Sequence, residues 1–161
     1  MKFCLKWVHM ARYELILRLD GALWLRIILK PLLTPKGDIS DPKILKQNVE
    51  NTDDKELIRA LIVRGFGVGN IPLQGDFSLF PLVEYLRKRQ IPVIMTSQCF
   101  RGHTELALYP SGRKLLDHGV IEARDMTFES VITKTMWALA HPEMNLQEWF
   151  NIDLAGEMTS H

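Results

Sequence analysis

Cysteine is scarce in this sequence, with only Cys4 and Cys99 among 161 residues. Two cysteines cannot form a disulfide framework or a paired-cysteine metal motif, so a reducing cytoplasm is the default compartment. The histidines His103, His118 and His141 also lack the i, i+4 spacing of a helical metal pair. The sequence therefore gives no reason to expect a structural disulfide or a metal centre.

The sequence also lacks a long basic run and an uninterrupted apolar span. Its formal net charge is +1, and no basic stretch is interleaved with aromatics, which argues against a nucleic-acid partner. The apolar region from Tyr13 to Leu33 contains five charged residues, each costing about 2.5 to 3.5 kcal/mol at the centre of a membrane helix. No secretory cleavage site follows it. We expect a soluble, cytoplasmic protein that does not insert into a membrane.

The length and the 47% hydrophobic content predict one globular domain with an additional segment. Residues 1–55 form that segment, predicted as an irregular or helical N-terminal extension followed by a polar linker. Its apolar residues from Leu15 to Ile28 fit a helix only loosely, and Asp20-Gly21 interrupts them. The regular domain is predicted over residues 56–161.

Strands and helices alternate in this second region, which predicts an α/β fold with a small parallel sheet flanked by helices, in a Rossmann-like or flavodoxin-like three-layer arrangement. Ser111 and Asp125 are predicted to cap two of the helices, and Asn145 with Glu148 has the spacing of a capping box. The predicted strands are 60–63, 92–96, 105–109 and 120–121, and the predicted helices are 78–88, 111–117, 126–141 and one that begins at 145.

Two polar loops follow two of these strands, Gly65–Pro72 and Ser97–Gly102. Because the carboxyl ends of parallel strands meet at one edge of a sheet, both loops are expected to face the same side and could share a ligand. Asn70 stands where a dinucleotide fingerprint needs its third glycine, and no Gly-Lys-Ser/Thr follows, so both phosphate-binding motifs are excluded. On its own, the glycine loop is also consistent with a turn that binds nothing.

Some side chains in these regions have simpler interpretations than catalysis. Cys99 could be a nucleophile beside His103, but no orienting partner is evident, and a loop role is preferred. Asp125 and Glu129 could form an acid–base pair, although a helix cap and a dipole partner explain both. Lys134 receives no role.

Three stretches in order resemble the C-terminal domain of cytoplasmic (type I) L-asparaginases. They are Ala60-Leu-Ile-Val-Arg-Gly-Phe-Gly-Val-Gly-Asn-Ile-Pro72, Thr96-Ser-Gln-Cys-Phe-Arg-Gly102, and Gly119-Val-Ile-Glu-Ala-Arg-Asp-Met-Thr-Phe-Glu129 continuing into Thr133-Lys134. Tyr109-x-x-Gly112 and Gly156-Glu-Met-Thr159 fit the same pattern. The resemblance covers roughly residues 57–159.

The resemblance implies an amidohydrolase that converts L-asparagine and water to L-aspartate and ammonia, with no metal or organic cofactor. The family's catalytic threonines belong to a larger N-terminal domain, whose Gly-Gly-Thr-Ile start and Thr-Asp-Thr stretch do not occur here. We therefore assign no catalytic residue to this chain, leave its status as an enzyme open, and expect it to be inactive alone. Such a chain could be a fragment, or it could work with a separate catalytic domain.

The resemblance also implies the site residues and the partners. Asn70 matches an asparagine near the active site across a subunit contact, and Ser97, Gln98 and Cys99 match a Thr-Gln-Cys loop that helps line an allosteric asparagine site. These four residues are the predicted substrate or effector site, for L-asparagine or a related amino acid. A homo-oligomer or a separate catalytic domain is the expected protein partner. The alternatives are a non-catalytic amino-acid-binding module and an oligomerisation module.

Overall fold

A computed structural model describes residues 59–76 and 78–159, together with the backbone of three N-terminal strands. These strands are β1 (Cys4–Leu5), β2 (Tyr13–Leu19) and β3 (Leu23–Leu29), and they form an antiparallel sheet in the order β1-β2-β3. The expected helical character of this region is therefore wrong where the strands lie. Asp20-Gly21 between two apolar runs is a hairpin signal, and Leu19 pairs with Leu23 directly across it. The predicted linker at 34–54 falls outside the described residues.

The second sheet is parallel, as the sequence predicts, and it contains β4 (Leu61–Gly65), β5 (Val93–Ser97) and β6 (Ile121–Glu122) in that order. Every residue of β5 is buried. This is the form expected of a central parallel strand that is covered on both faces. The prediction of a small parallel sheet flanked by helices is confirmed.

Within the described residues, four helices cover this sheet: α1 (Phe80–Lys88), α2 (Pro110–Asp117), α3 (Phe128–Leu139) and the short α4 (Leu146–Trp149). Successive strand residues point to opposite faces, so each strand contributes to two cores. On one face the sheet packs with α1 and α2, through residues that include Leu61, Val93, Met95, Leu82, Leu86 and Leu115. On the other it packs with α3 and the end of α4, through residues that include Ile62, Ile94, Ile121, Val131, Ile132 and Phe150.

Two predicted caps are wrong, and both side chains bind elsewhere. The N-cap of α2 is Tyr109, and Ser111 instead donates a hydrogen bond to the side chain of Asn70. The N-cap of α3 is Thr127, whose hydroxyl accepts from Ser130 N, so this helix starts later than predicted. The predicted capping box of α4 is confirmed, since the side chains of its two members each accept from the other's backbone N–H.

The strand predicted at 105–109 is also wrong, because Leu106–Leu108 is a 3₁₀-helix. Leu106 N donates to a carboxylate oxygen of Glu122 rather than to a neighbouring strand, and Leu108 N donates to Glu105 O at 3.2 Å. Gly112 of α2 packs so tightly on this turn that an added Cβ would lie 2.0 Å from Leu106 O. The turn therefore serves as a packing surface for α2.

The C-terminal segment is fastened to α3 by a buried ion pair. Lys134 Nζ lies 2.5 Å from Glu157 Oε1 and also donates to Ile152 O. The two side chains are only 3% and 11% exposed. Because a buried ammonium group is costly without partners, these bonds hold the segment in place.

Candidate functional site

The two polar loops meet at the carboxyl edge of the parallel sheet, as their positions in the sequence predict. Gly65 at the end of β4 pairs with Ser97 at the end of β5. Gln98 N then donates to Gly65 O at 2.9 Å, and Ser97 Oγ donates to Gly67 O at 2.6 Å. The hydrogen-bonded contact between the strands thus continues into the loops.

The glycine loop holds Asn70 by folding back on its own strand. Phe66 N donates to Asn70 O, and Asn70 N donates to Phe66 O, both at 2.8 Å. A Cβ on Gly65 would lie 2.6 Å from the carbonyl carbon of Gly69, and Gly69 itself has φ +105°. Glycine is therefore needed at both positions, because a side chain would either clash or strain the backbone.

The second loop is organised around the hydroxyl of Ser97. Besides donating to the glycine loop, this oxygen accepts a hydrogen bond from Cys99 N at 3.0 Å. Gly102 returns close to it, so that an added Cβ would lie 2.5 Å from Ser97 Oγ. The residues between them are displayed outward, and the Phe100 ring is 98% exposed.

An open cleft of about 680 Å³ lies between this second loop and the start of α3. One wall is formed by residues of 97–103, the other by residues 125–129, and Arg64 of β4 also lines it. Ser97 and Cys99 of the predicted site face the cleft. Asn70 and Gln98 are not among its lining residues in the part of the chain that the structure describes. The structure thus divides the four predicted site residues into two sets.

Arg64 is the cleft residue that sequence reasoning missed. Its Nη2 donates to Gln98 O at 3.4 Å, and its guanidinium carbon lies 4.8 Å from the centre of the Phe128 ring. Its Nε is buried and has no hydrogen-bond partner among the described residues. The signal available in the sequence was an arginine placed directly after a buried aliphatic run. A guanidinium held beside a cleft is well suited to a carboxylate ligand.

The cleft carries charges of both signs. Arg64, Arg101 and His103 line it together with Asp125 and Glu129. The Asp125 carboxylate is fixed by the C-terminal segment, because it accepts hydrogen bonds from both the backbone N–H and the hydroxyl of Thr159. An α-amino acid also carries one carboxylate and one ammonium group, so the cleft has groups for both ends of such a ligand.

A family comparison decides the relationship of the chain to known proteins. The model of the glutaminase/asparaginase C-terminal domain matches residues 40–150. The chain belongs to this family. The resemblance drawn from the three sequence stretches is therefore confirmed.

Among curated relatives of this family member, the L-asparaginase of Thermococcus kodakarensis is 36% identical over 140 residues, which are 81% of this chain and 41% of that protein. One component protein of the glutamyl-tRNA(Gln) amidotransferase of Methanobrevibacter smithii is 35% identical over 120 residues, 73% of this chain and 26% of that protein. The chain thus spans less than half the length of either relative.

Solved structures show the same relationship. The thermostable L-asparaginase from Thermococcus kodakarensis superposes with a TM-score of 0.64 at 34% identity, over 80% of this chain and 37% of that one. L-asparaginase I from Vibrio cholerae gives a TM-score of 0.61 at 26% identity, over 78% and 36%. The structural match therefore also covers a little over a third of each protein.

Two further properties concern the described residues only. Within them, no three His, Cys, Asp or Glu side chains converge as a metal-binding group. None of the helices described is both long enough and apolar enough to cross a bilayer.

Proposed function

We propose that this chain supplies the C-terminal-domain contribution to an L-asparaginase-type amidohydrolase, which converts L-asparagine and water to L-aspartate and ammonia. Its role is to bind a substrate or effector amino acid and to make subunit contacts, while the threonine nucleophile comes from a separate domain in the reducing cytoplasm. Family membership and the names of the L-asparaginase relatives support this proposal.

The observation that carries the proposal is the cleft beside the second loop. Ser97 and Cys99 line it together with the guanidinium of Arg64, and the carboxylates of Asp125 and Glu129 stand on the opposite wall. The arginine is the partner for the α-carboxylate of an amino acid, and the acidic wall is the partner for its ammonium group. Asn70 belongs to the neighbouring glycine loop and is proposed to serve the shared active site.

Calorimetric titration of the full chain with L-asparagine, L-aspartate and L-glutamine tests the binding role. Hydrogen bonds to charged groups contribute about 1.5 to 3 kcal/mol, so Arg64→Gln should weaken the binding of the preferred amino acid by roughly 10- to 150-fold. Arg89→Gln is the matched control, because Arg89 is exposed and stacks on Tyr85, away from the cleft. Binding that survives Arg64→Gln unchanged, or no heat with any of the three ligands, would contradict the proposal.

Ammonia release tests the catalytic part. The purified chain alone is expected to release none from L-asparagine above the uncatalysed rate. Turnover comparable to that of an intact asparaginase would show that the nucleophile lies within this chain.

The expected protein partner is a second copy of the chain or a separate catalytic domain. The fully exposed Phe100 next to the cleft is the kind of apolar side chain that such a contact would cover. Gel filtration of the full chain should show an oligomer that Phe100→Ser disfavours. A monomer at all concentrations would leave the separate catalytic domain as the proposed partner.

A further inference from the structure

Leu106 brings the Asn70 loop and α2 together. An added Cβ on Gly69 would lie 2.9 Å from Leu106 Cδ2, and one on Gly112 would lie 2.0 Å from Leu106 O. The loop and the helix thus press on the same residue from two sides, each through a glycine. Glu105 N adds a hydrogen bond to Val68 O at 3.0 Å, which ties the 3₁₀ turn to the glycine loop.

This packing places Ser111, in the first turn of α2, against the side chain of Asn70. Ser111 Oγ donates to Asn70 Oδ1 at 3.2 Å, although the two residues are 41 apart in the sequence. Both backbone groups of Asn70 are already engaged with Phe66, so its side chain keeps only its own torsions as freedom. The bond from Ser111 fixes the remaining orientation of the carboxamide.

We propose that Ser111 is a positioning residue for Asn70, which sets the carboxamide so that its Nδ2 amino group, rather than its carbonyl oxygen, is presented to a ligand. The inference rests on the proposed function, in which Asn70 serves an amino-acid site. A carboxamide can offer either a donor or an acceptor, and a hydroxyl that donates to Oδ1 selects the donor. Such a donor suits an oxygen of the ligand, either a carboxylate or an amide carbonyl.

Nuclear magnetic resonance of the full isotope-labelled chain tests the orientation without any ligand. The Asn70 side-chain amide signals are assigned as the pair that disappears in Asn70→Asp. In Ser111→Ala these signals should shift and broaden, while the backbone amide signals of 66–70 stay in place. Ser111→Thr keeps the hydroxyl and should restore the wild-type signals. Side-chain signals that are unchanged in Ser111→Ala would overturn the inference, as would equal effects of alanine and threonine.

Titration with L-asparagine and L-aspartate then tests the consequence for binding. A hydrogen bond of ordinary net strength corresponds to a loss of about 3- to 10-fold in affinity for Ser111→Ala, with Ser111→Thr within about twofold of wild type. Affinity that is unchanged in Ser111→Ala but lost in Asn70→Ala would overturn the positioning role. If the wild-type chain binds neither amino acid, the proposed function fails, and the resonance comparison alone decides the role of Ser111.

Discussion

Replacing Glu157 by glutamine should remove about 3 kcal/mol of stability near neutral pH and almost none near pH 2. Glu157 is the carboxylate of the buried ion pair that fastens the C-terminal segment to Lys134 of α3. The substitution keeps the size of the side chain and removes its charge. It therefore tests the electrostatic contribution of the pair rather than its packing.

The magnitude follows from the pKa of the carboxyl group. Burial alone would raise the pKa of Glu157, but hydrogen bonds from Lys134 Nζ and from the backbone N–H groups of Leu154 and Ala155 outweigh burial and lower it from 4.5 to about 2. Because one pKa unit corresponds to about 1.36 kcal/mol, the ionised form is favoured in the folded state by about 3 kcal/mol. A lowered folded-state pKa means that this stability is present above the unfolded value and is lost as the pH falls towards about 2.

Urea denaturation of the full chain across this pH range measures the effect. Below the folded-state pKa, the protonated Glu157 is neutral like glutamine, so the stability curves of wild type and Glu157→Gln should converge. Glu143→Gln is the matched control, since Glu143 is exposed and its loss should change stability by less than about 0.5 kcal/mol. A difference between wild type and Glu157→Gln that stays constant with pH would refute the electrostatic reasoning, and so would equal stability at neutral pH.

Two further substitutions test the packing and capping of the helices by thermal denaturation. Gly112→Ala should cost about 1 to 3 kcal/mol, because its Cβ would lie 2.0 Å from Leu106 O and the helix must move; an unchanged Tm would contradict this close contact. Asn145→Ala should cost about 1 kcal/mol through loss of the capping box with Glu148, whereas the exposed Gln147→Ala in the same helix should be nearly neutral. Equal effects of these last two would argue against the cap.

The parallel sheet was predictable because its signals are local. Each strand is a short aliphatic run followed by a glycine-containing loop, and adjacency of parallel strands then places both loops at one edge. The helix ends were less predictable, since Ser111 and Asp125 are both good capping residues by type. Their side chains bind Asn70 and Thr159, which are 41 and 34 residues away, and propensity carries no information about such distant partners.

The division of the predicted site into two sets could not be read from the sequence for the same reason. The loops were expected to share a ligand because they share a sheet edge, and the edge does share them. A strand, however, also has two faces. The Asn70 side chain contacts α2 on one face, while Ser97 and Cys99 line the cleft beside α3. Arg64 was missed because its importance depends on Gln98 and Phe128, to which it is joined only in three dimensions.

The loop from Ser97 to Gly102 separates its framework from its display positions. Its two ends hold one another, through a serine hydroxyl that bonds in two directions and a glycine that leaves room for it. Cys99, Phe100 and Arg101 between them are exposed and line the cleft. Ligand preference can therefore be diversified at these three consecutive positions, by evolution or in a designed library, while the anchoring serine and glycine keep the loop in shape.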